Sequence, residues 1–379
     1  MIKMTAKERI KMAAMGKEPD RVPVCGVYNE WCWAQVYGRD SFMDYGLDPE
    51  KITKVMVWSC KEIGCDSTSV RTDLRMILEA IVEASGMTYP STRWKDFVPA
   101  NPHRLYEGDP IKEIAYGNPL IKTIKDVEKL KPADPYKHGR LPISLKTMEL
   151  ANKKLKGEYP VGASITTPLL EGGKLMGWTQ MYMAMEKDIE LWKKVEDVVI
   201  KTLYEFAKAL IKAGASFLSS SSELPQKVGS KMYFEKPIWA QADHPPEVMQ
   251  RIWNEFKVGV GLHPCTVGPF EPGIEAWKTM LDHTPSFLLP EYGGADALAR
   301  AKEQLAPAMV MGNIHSVDVM LHGSRTDVEE ACIELIKKCG PGGRYQLAPG
   351  CMLPLDTPYE NVKTMIESAE KYGKYPIRL

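Results

Sequence analysis

His263 and Cys265 stand one residue apart in KVGVGLHPCTVGPF, just after the short apolar run 258–262. In extended chain, residues i and i+2 share a side, so this imidazole and this thiolate can reach into the same space. Cys351, in YQLAPGCMLP, again follows a short apolar run and a glycine. Only tertiary structure could join it to the other two. Brought together, His263, Cys265 and Cys351 would be a His-Cys-Cys zinc set with an open fourth position, the arrangement that catalytic zinc uses. The alternative is two small buried hydrophobes and a core histidine.

Strands and helices must position such a set. The run 22–27 is expected as strand one, 66–70 as strand two and 159–165 as strand three. Further strands are expected at 215–219, 258–262, 286–289, 308–312 and 345–348, with helices or crossovers between them. Eight such units in one chain predict an α/β fold, a TIM (β/α)8 barrel preceded by an N-terminal helix. A Pro-, Gly- and charge-rich excursion at about 86–142 reads as a long insertion after strand two. Residues 1–379 then form a single domain.

In such barrels chemistry sits where strands end. Polar residues at those places are Asn29 and Glu30, Arg71 and Asp73, Glu223, His263 and Cys265, Glu291, Asn313 and His315, and Cys351. Tyr28, Trp31, Trp33 and Tyr37 follow strand one and could wall an aromatic substrate, or simply pack the N-terminal segment onto the barrel. Arg71 could bind a substrate carboxylate or sulfonate, or form a surface ion pair. Asn313 and His315, in GNIHS, could orient substrate, although a Gly-Asn turn explains Asn313 without function.

Composition narrows the function. The 379 residues are 44% hydrophobic and 26% charged, with 49 basic against 49 acidic side chains, a formal net charge of zero. No charge imbalance marks a nucleic-acid or anionic-membrane partner. No apolar run reaches the roughly 18 residues of a membrane span. The start lacks the apolar region of a signal peptide. Eight cysteines without framework spacing are expected to be reduced thiols in a cytoplasm, some of them metal-bound.

The opening KERIKMAAMGKEPDRVPV, the central LHPC and the closing run from MGNIHSVDVM to ESAEKYG resemble the uroporphyrinogen decarboxylase superfamily, and more narrowly its corrinoid-dependent methyltransferase branch. The resemblance is strongest from about Gly261 onward. It implies that His263, Cys265 and Cys351 bind catalytic zinc, and that Glu223 occupies a position where relatives often carry an acid. The arginine-rich signature of the decarboxylase itself is missing, since GVYNEWCWAQVYGRD stands in its place. No Asp-x-His-x-x-Gly corrinoid motif occurs. The corrinoid is therefore expected on a partner protein docking over the barrel mouth.

Two directions of methyl transfer follow from that resemblance. Zinc could polarise the oxygen of a methoxylated compound while cob(I)amide takes the methyl group. Alternatively, methylcorrinoid could methylate a thiol such as coenzyme M. The four aromatics tip the sequence reading toward O-demethylation. Glu223 or Glu291 would be an acid for the leaving oxygen or a fourth ligand, with a helix cap or salt bridge as the alternative. Remaining alternatives are a uroporphyrinogen-type decarboxylase, zinc-assisted hydrolysis, and a structural-zinc scaffold that binds the corrinoid protein without chemistry. A homodimer is compatible with all of them.

Overall fold

The computed structural model describes residues 4–25, 29–39, 41, 46–70, 75–87, 119–222, 246–264, 286–288 and 293–378. Short apolar runs become seven parallel strands: β1 Thr68–Val70, β2 Val161–Ile165, β3 Phe217–Ser222, β4 Val260–Pro264, β5 Ser286–Leu288, β6 Met309–Ile314 and β7 Tyr345–Pro349. Their spatial order is their chain order. Among the described residues, helices stand in the crossovers from β1 to β2, β2 to β3, β3 to β4, β5 to β6 and β6 to β7.

The eighth position belongs to residues 22–25. Val24 pairs in parallel with Leu347 of β7. Leu347 N donates to Pro23 O at 2.9 Å, and Cys25 N donates to Leu347 O at 2.8 Å. On the other side, Asp66 N donates to Val24 O at 2.9 Å. The sheet thus joins end to end, and the expected (β/α)8 barrel is formed. Pro23 has no N–H to give, so this segment makes bridges rather than a full strand.

Helix starts are where the sequence places cap residues. Thr5 and Glu8 form a capping box on helix Ala6–Ala14, and Ser324 with Asp327 forms another on Arg325–Cys339. Asp48 caps Pro49–Trp58, and Thr167 caps Pro168–Met176, each with proline in the first turn. Helices are expected within 174–212, but the first of them begins earlier, at Pro168. Its Gly172 and Gly173 are close-packing positions, since an added Cβ would lie 2.4 Å from the rings of Trp192 and Trp178 respectively. No helix among the described residues is long and apolar enough to cross a membrane.

Much of the expected insertion lies outside the described residues. The described end of the insertion lies along the barrel wall: Ile121 N donates to Leu175 O at 3.1 Å and Ala133 N to Thr202 Oγ1 at 3.0 Å.

Asp66 is the keystone of the closure. It is buried, yet it accepts from Arg9 Nη1 at 2.5 Å, Arg21 Nη1 at 2.8 Å and Val24 N at 2.7 Å. Asp20 supports the same guanidinium, accepting from Arg9 Nε at 2.6 Å. Removing one partner of such a buried network strands the remaining charges. Asp66→Ala is therefore expected to lower unfolding free energy by about 3–5 kcal/mol in denaturant titration. A loss below about 1 kcal/mol, the scale of an exposed pair, would contradict this role for Asp66.

Candidate metal centre at the barrel mouth

His263 is the fourth residue of β4 and is buried. Cys351 follows the end of β7 by two residues and is half-buried. β5 and β6 separate these strands, but the curvature of the ring brings the side chains together, with Cys351 Sγ 3.8 Å from His263 Nε2. A nitrogen and a sulfur on one tetrahedral zinc stand about 3.6 Å apart, from bond lengths of roughly 2.0–2.1 and 2.3 Å. The pair as it stands fits two adjacent corners of a zinc site.

Cys265, the expected third donor, lies outside the described residues. Among the described residues no group of three or more His, Cys, Asp or Glu side chains gathers as a metal would require. Cys32, Cys60, Cys65, Cys332 and Cys339 belong to the packed core. Burial pushes the thiols of Cys60, Cys332 and Cys339 up to about 12, and that of Cys32 well above its usual range, so thiolate is disfavoured there.

Cys351 is held by a residue that the sequence reading passed over. Ser316 Oγ donates to Cys351 O at 3.0 Å and accepts from Cys351 N at 3.3 Å. Gly350 N donates to Ile314 O at 2.8 Å, so the end of β6 fixes the chain that carries Cys351. The available signal was Ser316's place in GNIHS, a hydroxyl just beyond the strand that neighbours the cysteine-bearing one.

The remaining expected residues divide into three groups. Tyr28, Arg71, Glu223 and Glu291 lie outside the described residues. Asn29, Trp31 and Trp33 are committed to the scaffold. Asn29 Nδ2 donates to Ser69 O at 2.6 Å, tying helix Asn29–Tyr37 to β1. Trp31 and Trp33 are 0% exposed. Trp31 Nε1 donates to Thr357 O at 2.9 Å and Trp33 Nε1 to Ser41 O at 3.1 Å. Trp31 also stacks on Tyr359 at 6.4 Å between centroids. For Trp31 and Trp33 the packing alternative describes the structure: both indoles are enclosed between the helix and the barrel. Asn313 and His315 remain near the mouth. Asn313 is buried, with Nδ2 3.4 Å from Gly294 O. His315 Nδ1 accepts from Asp318 N at 2.9 Å, which fixes its ring orientation.

Comparison with known proteins places this geometry in a family context. The family described as Uroporphyrinogen decarboxylase (URO-D) matches residues 104–372. A protein of Methanosarcina barkeri named Methylcobamide:CoM methyltransferase MtaA is 21% identical, over 98% of this chain and 99% of its own. Methylcobamide:CoM methyltransferase MtbA of Methanosarcina acetivorans is 26% identical, over 67% of this chain and 70% of its own. A uroporphyrinogen decarboxylase of Mannheimia succiniciproducens is 23% identical, over 67% and 70% respectively. Among solved structures, a methyltransferase from Methanosarcina mazei superposes with a TM-score of 0.71 at 20% identity, covering 98% of this chain and 99% of that one. That last likeness bears on the fold alone.

Ser316→Ala removes both contacts to the Cys351 backbone while leaving the thiol in place. It is expected to weaken zinc retention about 10- to 100-fold, as loss of a ligand's supporting contact does, in competition with a chromogenic chelator. Retention equal to that of the unaltered protein would contradict a positioning role for Ser316.

Proposed function

The chain belongs to the uroporphyrinogen decarboxylase (URO-D) family, and on that premise we propose that it moves a methyl group between the cobalt of a corrinoid on a separate protein and a small thiol. The observation that carries this reading is the approach of His263 Nε2 and Cys351 Sγ to 3.8 Å at the ends of two distant strands. Relatives named for methylcobamide:CoM methyl transfer support the reaction class. In this reading residues 1–379 act as one domain.

His263, Cys265 and Cys351 would hold zinc. When bound, zinc between two thiolates and an imidazole supplies a Lewis-acidic centre that favours the deprotonated form of a substrate thiol. His263 fixes one corner of the site from inside the barrel, and Ser316 fixes the chain at Cys351. The corrinoid of the partner protein would serve as methyl donor, keeping the electron pair of its carbon–cobalt bond, and the substrate thiolate would be the acceptor that forms the carbon–sulfur bond. The thiol proton must leave first. Glu223, directly after β3, and Glu291, shortly after β5, are the carboxylates that the chain order offers to take it.

O-demethylation is the second reading. It keeps the same centre but loses the support of an aromatic wall, since Trp31 and Trp33 are enclosed. Decarboxylation of a polyanionic tetrapyrrole would need a basic cleft. Arg39, which follows the aromatic segment, is paired with Asp356 at 2.7 Å.

The test uses zinc-loaded protein and follows corrinoid absorbance. Methylcobalamin with coenzyme M is expected to lose its methylcobalt spectrum in a zinc-dependent way, and Cys265→Ala or Cys351→Ala should reduce the rate by at least about 100-fold. Formation of methylcobalt from cob(I)amide protein and a methoxylated aromatic, with no reaction in the first mixture, would reverse the direction. Turnover that survives both cysteine substitutions would overturn the reading.

A further inference from the structure

Cys351 stands in a stretch of rim that two loops build together. Residues 315–323 follow β6 and residues 350–358 follow β7, so both lie at the strand ends where the mouth opens. Three sets of bonds lock them. Ser316 Oγ donates to Cys351 O and accepts from Cys351 N. Gly350 N donates to Ile314 O at 2.8 Å. Asn361 Nδ2, on helix Tyr359–Tyr372, donates to Met320 O at 3.0 Å and to Gly323 O at 2.8 Å. Within the first loop, Val319 N and Met320 N donate to His315 O, and Leu321 N and His322 N donate to Val317 O. Met320, Leu353 and Leu355 are buried beneath. The two loops thus form a shelf whose shape is set before anything lands on it.

The solvent side of this shelf is mixed in character. Val317, directly after Ser316, is 40% exposed, and Tyr359, at the start of its helix, is 38% exposed. A single exposed apolar side chain needs no explanation, but here one stands on each of the two segments that flank Cys351. Beside them are exposed carboxylates, Asp318 next to Val317 and Asp356 three residues before Tyr359. Asp356 is held in place by Arg39 at 2.7 Å. The surface therefore offers apolar contact and hydrogen-bond acceptors side by side.

Its position relative to the metal pair indicates what it meets. His263 is buried and Cys351 is half-buried, so of these two residues it is the one on the shelf that reaches the surface. Methyl transfer by displacement requires cobalt, methyl carbon and sulfur in line. With the sulfur held beside Cys351, a flat macrocycle around the cobalt must lie across the mouth, and its edge must pass over neighbouring loops. Val317 is one residue, about 3.8 Å between Cα atoms, from the serine that bonds Cys351. The edge of a cobamide ring carries methyl groups and carboxamide side chains, so it presents apolar surface and N–H donors together. That is the complement of the shelf.

We infer that this shelf seats one edge of the corrinoid ring, with Val317 and Tyr359 against its methyl-bearing edge and Asp318 and Asp356 accepting hydrogen bonds from its carboxamide N–H groups. This assignment rests on the methyl-transfer reading for the identity of the ring. Its residues are separate from those that hold the metal.

The experiment measures methylcobalamin binding to zinc-loaded protein by equilibrium dialysis, for the unaltered chain, Val317→Asp, Asp318→Ala and Met183→Asp. Val317→Asp should weaken binding about 10-fold, by setting a charge against an apolar edge, and Asp318→Ala about 3-fold, by removing an acceptor. Met183, exposed on helix Trp178–Lys187 of the barrel wall, is the control, and Met183→Asp should bind as the unaltered protein does. In turnover with coenzyme M, the two shelf substitutions should raise KM for methylcobalamin by the same factors, while kcat, KM for the thiol and zinc content stay unchanged. Loss of zinc or a raised KM for the thiol would show Val317 acting through Cys351 and would overturn the inference. So would unchanged binding by Val317→Asp, an equal loss in Met183→Asp, or the absence of saturable binding by the unaltered protein. If the unaltered protein binds methylcobalamin but methylates no thiol, the transfer reading fails on its own, and the dialysis still decides for or against the shelf.

Discussion

Everything at the barrel mouth depends on the sheet being joined between β7 and β1 through residues 22–25. Pro23 withholds one donor, and the missing order is supplied by Asp66, which binds the Val24 amide and two guanidinium groups at once. A ring of parallel strands has no edge to slip along once it is closed, so tilt and stagger become fixed around the circumference. The approach of His263 to Cys351 is a product of that closure. The two residues lie three strands apart, and nothing local in either segment would bring them within 3.8 Å.

The division of labour between the two ends of the barrel follows. Charge lies beneath the sheet, where the Arg9, Asp20, Arg21 and Asp66 network holds the N-terminal segment. The imidazole of His263 and the thiol of Cys351 meet at the other end, at the barrel mouth.

The sequence revealed what depends on period and spacing. Apolar runs of four to six residues mark the strands because parallel strands are buried on both faces. His263 and Cys265 stood out because an alternate-residue pair at a strand end shares a side. What stayed hidden depends on contacts between distant segments. Trp31 and Trp33 looked like a substrate wall because aromatic clusters serve both surfaces and cores, and only the Thr357 and Ser41 carbonyls that take their N–H groups reveal the packing role. Gly172 and Gly173 carry no signal in the sequence, yet they are positions where the rings of Trp192 and Trp178 come close. Ser316 belongs to no motif. Its place beside Cys351 comes from strand adjacency, which is set by barrel closure rather than by neighbours in the chain.

The central claim is that one zinc ion is shared by His263, Cys265 and Cys351. Zinc K-edge X-ray absorption on the purified protein tests it most directly, since it counts ligands by element without requiring turnover. The expected spectrum has two sulfurs at about 2.3 Å and light atoms at about 2.0–2.1 Å, with one sulfur lost in Cys351→Ala. A shell of nitrogen and oxygen only, or a sulfur count unchanged by that substitution, would contradict the assignment.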